Sequence, residues 1–112
     1  YTTWDDEELG SIRVVPASGG NGRTVTENPG HYLEPTFSPD GRTIAYRTSS
    51  DNDLRNPLWS RNPGIYRIPA AGGEAEFVTD DGVTPQFGAS NDRIFYVGRD
   101  GENRAFKSVD LE

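Results

Sequence analysis

One phrase in this chain returns in altered form, and that repetition constrains the fold more than any other feature. Pro35-Thr36-Phe37-Ser38-Pro39-Asp40-Gly41-Arg42-Thr43-Ile44-Ala45-Tyr46 comes back as Pro85-Gln86-Phe87-Gly88-Ala89-Ser90-Asn91-Asp92-Arg93-Ile94-Phe95-Tyr96. Pro35 maps to Pro85, Phe37 to Phe87, Ile44 to Ile94 and Tyr46 to Tyr96, gap-free at a spacing of 50. A second phrase, Ile12-Arg13-Val14-Val15-Pro16-Ala17-Ser18-Gly19-Gly20, recurs as Ile65-Tyr66-Arg67-Ile68-Pro69-Ala70-Ala71-Gly72-Gly73 at a spacing of 53, so the units differ mainly in loop length. Self-similarity at about 40 to 50 residues, built from short strand-like pieces, marks the blades of a propeller.

The best-preserved unit reads as four antiparallel strands. Pro35–Ser38 runs into Pro39-Asp40-Gly41, where proline presets φ, aspartate bonds locally and glycine accepts a left-handed conformation. The return strand, Thr43–Thr48, places Ile44 and Tyr46 on one face and Ala45 and Arg47 on the other, as a period of two requires. Ile65–Pro69 supplies a third strand and Glu76–Thr79 a short outer one. The same grammar assigns Tyr1–Thr3, Ile12–Val15 and Arg23–Thr26 to an earlier unit. It assigns Pro85–Gly88, Asp92–Val97 and Ala105–Val109 to a later one. No window carries the apolar spacing of a helix. The fold class predicted is all-β: antiparallel propeller blades, about two and a half of them, a partial propeller. The units divide at 1–30, 31–81 and 82–112. With ten strands where a closed ring needs at least four blades, and no initiating Met, the sequence reads as a fragment.

Composition limits function. The 112 residues leave room for one domain. The net charge of −7 argues against nucleic-acid binding, which needs a basic face. The absence of cysteine removes disulfides, thiolate metal sites and a thiol nucleophile. No apolar run approaches the length of a membrane span. Carboxylates crowd the start: Asp5, Asp6, Glu7, Glu8, Glu27 and Glu34 stand against Arg13 and Arg23. The run Asp5-Asp6-Glu7-Glu8 reads as a solvated turn, with cation binding the alternative.

The Pro-x-Phe-Ser-Pro-Asp-Gly-Arg-x-Ile-Ala-Tyr phrase at Pro35–Tyr46, followed by Ile65-Tyr66-Arg67-Ile68 and Gly72-Gly73, resembles the TolB-type β-propeller repeat, which also occurs in tricorn-like and prolyl-oligopeptidase-like propellers. The resemblance covers nearly the whole chain. Asn56-Pro57-Leu58-Trp59-Ser60-Arg61-Asn62-Pro63-Gly64-Ile65-Tyr66 and the tail from Phe95 to Leu111 are similar to segments of bacterial proteins that join such a propeller to an amidohydrolase-type metal-dependent hydrolase. The resemblance implies a noncatalytic scaffold or interaction module of a larger hydrolase. The rival it implies is a TolB-like protein-binding propeller of the cell envelope with no enzyme attached. Both imply a periplasmic or secreted setting. The implied partners are the remaining blades and the catalytic domain of a parent protein. Open blade edges add an expectation of self-association.

No residue set carries chemistry of its own, and neither a cofactor nor a metal is expected. His31, the single histidine, cannot assemble a metal centre that needs several; it reads as an inter-blade loop residue. Ser38 lacks a base to activate it, so Ser38-Pro39-Asp40 is turn chemistry. Gly19-Gly20-Asn21-Gly22 and Gly72-Gly73 do not open helices and are not phosphate cradles. The segment Ser49–Pro63 is eight residues longer than its counterpart in the first unit. It holds Leu54, Arg55, Leu58, Trp59 and Arg61, stiffened by Pro57 and Pro63. Apolar residues mixed with arginine form contact surfaces, so docking against another domain or subunit is the functional reading. Packing of Trp59 onto its own blade is the structural one.

Overall fold

The computed structural model describes residues 1–48 and 63–112. Within them ten strands run β1 (Thr2–Thr3), β2 (Ser11–Val14), β3 (Arg23–Thr24), β4 (Tyr32–Phe37), β5 (Thr43–Thr48), β6 (Gly64–Pro69), β7 (Glu76–Thr79), β8 (Val83–Phe87), β9 (Arg93–Asp100) and β10 (Asn103–Asp110). They form three antiparallel sheets ordered β1-β2-β3, β4-β5-β6-β7 and β10-β9-β8, with no helix among the described residues.

The turn chemistry read from Ser38-Pro39-Asp40-Gly41 is what closes the β4–β5 hairpin. The Ser38 amide donates to the Thr43 carbonyl at 2.8 Å and the Gly41 amide to the Ser38 carbonyl at 2.9 Å. The Ser38 hydroxyl donates to Asp40 Oδ1 at 2.6 Å, and that oxygen also accepts from the Arg42 amide at 3.0 Å. Gly41 takes φ 72°, a conformation costly for any residue with a Cβ.

Strand ends depart from the sequence expectation in instructive ways. β4 begins at Tyr32, three residues before Pro35, although proline removes a ladder donor. A register shift between Leu33 and Thr36 absorbs the proline, and a second, between Val83 and Gln86, does the same for Pro85 in β8. β9 continues through Gly98 to Asp100 rather than stopping at Val97, because it pairs with β10 along eight consecutive residues.

The middle sheet is covered on both faces. Ile44, Tyr46 and Ile68 join Ile12, Val25 and Ala70 in one buried cluster, with Val14, Tyr32 and Tyr66 packed against it. On the opposite face Ala45 and Ile65 are fully buried, and β8 packs against β4 and β5. The third sheet contributes Ile94 and Pro85 to the buried set. An aromatic row crosses the middle sheet: Tyr32 edge-on to Tyr46 at 5.3 Å, Tyr46 stacked on Tyr66 at 5.9 Å, and Tyr66 edge-on to Phe77 at 5.4 Å. Burial pushes the Tyr46 phenol well above its ordinary value, helped by neighbouring Tyr32 and Tyr66.

Two outcomes are expected. Ile65→Ala opens a cavity in a fully buried site and lowers the unfolding free energy by about 2–5 kcal/mol, measured by denaturant titration. The second concerns pH. The Ser38 hydroxyl first, and the Arg42 amide next, hold the Asp40 carboxyl below its ordinary 3.8. A depressed folded pKa stabilises the fold above the unfolded value and loses that contribution as pH falls through the folded value. The denaturation midpoint therefore drops as pH is lowered below 3.8, and Asp40→Asn makes that drop shallower.

Candidate interaction surface

Connections between the second and third strands of each unit leave from equivalent ends, next to the pairs Thr3↔Ser11, Thr48↔Gly64 and Asp100↔Asn103. They span residues 4–10, 49–63 and 101–102. Variable loops on a constant scaffold are where such folds carry recognition. Leu54, Arg55, Leu58, Trp59 and Arg61, the residues singled out for docking, lie outside the described residues.

The 4–10 connection is the described one with recognition chemistry. The Leu9 amide donates to the Asp5 carbonyl at 2.8 Å and the Asp5 amide to the Leu9 carbonyl at 3.2 Å, closing the loop on itself. Asp5 Oδ1 accepts from the amides of Glu7 at 2.8 Å and Glu8 at 3.0 Å. Those amides, Glu8's first, hold the Asp5 carboxyl below its ordinary value. The acidic run is thus a solvated turn that spends one carboxylate on its own backbone. Among the described residues no group of three His, Asp or Glu side chains is arranged to hold a metal ion.

Trp4 stands on this turn, 49% exposed. Its indole N–H donates to Asp6 Oδ1 at 3.1 Å, and its ring lies 5.2 Å from that of His31 at a tilt of 56°. His31 lies between the strands of the first and second sheets, half-buried with its ring against that of Trp4. Its Nδ1 is buried and finds no hydrogen-bond partner among the described residues. Beside the indole opens a cleft of about 430 Å³, lined by Trp4, Asp5, Glu8, Leu9, Glu27 and Pro29 among others. A flat aromatic ring flanked by carboxylates suits a polar or cationic side chain of another protein. Elsewhere the Ser38 hydroxyl serves the turn, donating to Asp40 and accepting from the Thr43 amide at 3.1 Å.

Sequence reasoning passed over Trp4. The available signal was its position: it follows Tyr1-Thr2-Thr3 just where Ser49 follows Tyr46-Arg47-Thr48, at the start of the insertion that did draw notice.

The first two sheets are tied together at this site through Gly10 and Gly30, whose amides donate to one another's carbonyls at 2.9 and 3.1 Å. A Cβ at Gly10 would run into the carbonyl oxygens of Gly30 and Thr3. Gly10→Ala is therefore expected to cost roughly 2–3 kcal/mol of unfolding free energy and to shift the His31 ring resonances in NMR spectra. An unchanged stability would show that the backbone approach is not needed.

No family model matches the chain. Over 68 residues, 60% of its length, it is 41% identical to the Tol-Pal system protein TolB of Bordetella pertussis, and equally to the proteins of that name from Bordetella parapertussis and Bordetella bronchiseptica. The matched stretch spans only 13–14% of those relatives. A solved structure assigned as TolB from Agrobacterium tumefaciens superposes with a TM-score of 0.73 at 21% identity, over 99% of this chain and 40% of that one. At that identity the superposition speaks for the fold, a β-propeller.

Proposed function

The chain is a run of TolB-like β-propeller repeats, and from that premise we propose that it works without catalysis, by presenting loops that bind protein. The observation that supports this most is the 41% identity to TolB over 68 residues, on a scaffold whose second-to-third-strand connections differ in length from unit to unit. The binding face in this reading is the loop end bearing Trp4, together with Leu54, Arg55, Leu58, Trp59 and Arg61 from the 49–63 connection. The units divide at 30/31 and 81/82, and further blades complete the ring. The setting is the periplasm, inferred from the resemblance to TolB. The reading that joins the propeller to an amidohydrolase domain keeps the residues that suggested it, Asn56–Tyr66 and the tail, and predicts a His-rich barrel encoded alongside.

Cross-linking pull-down from an envelope extract tests the binding reading. Trp59→Ala is expected to weaken capture of the partner by roughly 30-fold, the loss typical of a buried interface tryptophan. Capture that is indifferent to both Trp59→Ala and Trp4→Ala contradicts it. A blank assay against amide and ester substrates with added zinc is expected of the chain itself, and turnover that survives purification controls refutes the noncatalytic reading.

A further inference from the structure

The innermost strands of the second and third sheets share an unusual backbone feature. Glu34 and Thr84 hold equivalent places in the repeat, each just before a proline, and take φ of 55° and 56°. Each lies inside its strand's register shift. A left-handed conformation at a residue with a Cβ is disfavoured and persists only where its surroundings hold it. A bulge also frees the local amide from its own ladder.

What holds Thr84 is visible. Its amide donates to Glu34 Oε2 across the seam between sheets, at 2.7 Å. The same carboxylate is gripped from within its own sheet by Arg47 of β5, whose Nε donates to Oε2 at 3.1 Å and Nη2 to Oε1 at 3.4 Å. A guanidinium, a carboxylate and the neighbouring sheet's amide thus form a relay. Two other contacts join the same strands and hairpins: Thr36 Oγ1 to Gln86 Oε1 at 3.4 Å, and the Asp40 amide to Asn91 Oδ1 at 3.0 Å. Both are neutral, whereas the Glu34 contact is charge-assisted and the shortest of the three.

We propose that Glu34 is a seam clamp. Seated between Arg47 and Thr84, its carboxylate holds the Thr84 bulge in left-handed geometry and so fixes the path of β8 against β4. Withdrawn, it lets that bulge relax and the inner rim of the seam loosen. The position recurs as Thr84, which carries no carboxylate, so this chain does not offer the same clamp from its third sheet.

Amide hydrogen exchange on the 112-residue chain, read by NMR, tests this. In Glu34→Ala the Thr84 amide is expected to exchange roughly tenfold faster, while β5–β6 ladder amides keep their rates. Added formate, small enough to sit between Arg47 and the Thr84 amide, slows Thr84 again; chloride at equal ionic strength does not. Glu76→Ala, which breaks the outer pair with Arg67, leaves Thr84 unchanged. Unaltered Thr84 exchange in Glu34→Ala, or formate and chloride acting alike, overturns the proposal. Should Glu34→Ala fail to fold, Glu34→Gln keeps the oxygen and loses the charge; a smaller rise confined to Thr84 supports the clamp, and no rise overturns it.

Discussion

Everything in this fold depends on burying the middle sheet from both sides. A single four-stranded sheet of short strands is marginal in water, since each apolar face must be covered to offset the entropy of ordering the chain. Here one face presents Ile44, Tyr46 and Ile68 to the first sheet, and the other keeps Ala45 and Ile65 fully buried on the side of the third. A fully buried isoleucine stabilises by about 1.5–3 kcal/mol, so the few that sit in these two seams outweigh the exposed ion pairs at the rims. The outer sheets are less well covered. Phe106 is 76% exposed on β10, where it stacks on Phe95 at 5.7 Å.

Polar contacts decide how the sheets are aligned rather than whether they associate. Glu34 to Thr84 and Thr36 to Gln86 join equivalent positions of the repeat, and Asp40 to Asn91 is offset from equivalence by one residue, so the second and third sheets are stitched nearly in register. The first seam is tied differently, by the Gly10–Gly30 backbone pair and by Arg23 Nη2 donating to the Ala70 carbonyl. Asp81, the last residue of the second unit, serves a comparable role toward the third sheet: it accepts from Lys107 Nζ at 2.9 Å and from the Arg99 amide, its carboxyl held below and the Lys107 ammonium above their ordinary values. A Cβ at Gly98 would meet the Asp81 carboxylate, so a larger residue there would require that side chain to shift.

Much of this was legible in the sequence because repeats turn comparison into measurement. The alternation around Ile44 and Tyr46 predicted which side chains share a face, and Ser38-Pro39-Asp40-Gly41 predicted the hairpin. The strand-to-bulge transition at Glu34-Pro35 was not legible, since proline signals a strand start unless a bulge absorbs it, and a bulge leaves no composition of its own. Nor could spacing reveal that Glu34 reaches the next unit or that Trp4 covers His31. Both are side-chain events across a seam, fixed only when the sheets meet. The residues chosen for docking, Leu54 through Arg61, rest on composition still.

The most direct test of the central claim is native-state hydrogen exchange compared between two ladders. β9–β10 has the longer pairing, eight residues against six for β5–β6, but only β5–β6 lies in a sheet covered on both faces. If burial between neighbours holds the fold, the β5–β6 amides exchange slowest, at the rate set by global unfolding. If the β9–β10 amides prove the slowest, ladder length rather than two-sided burial governs stability, and the account fails.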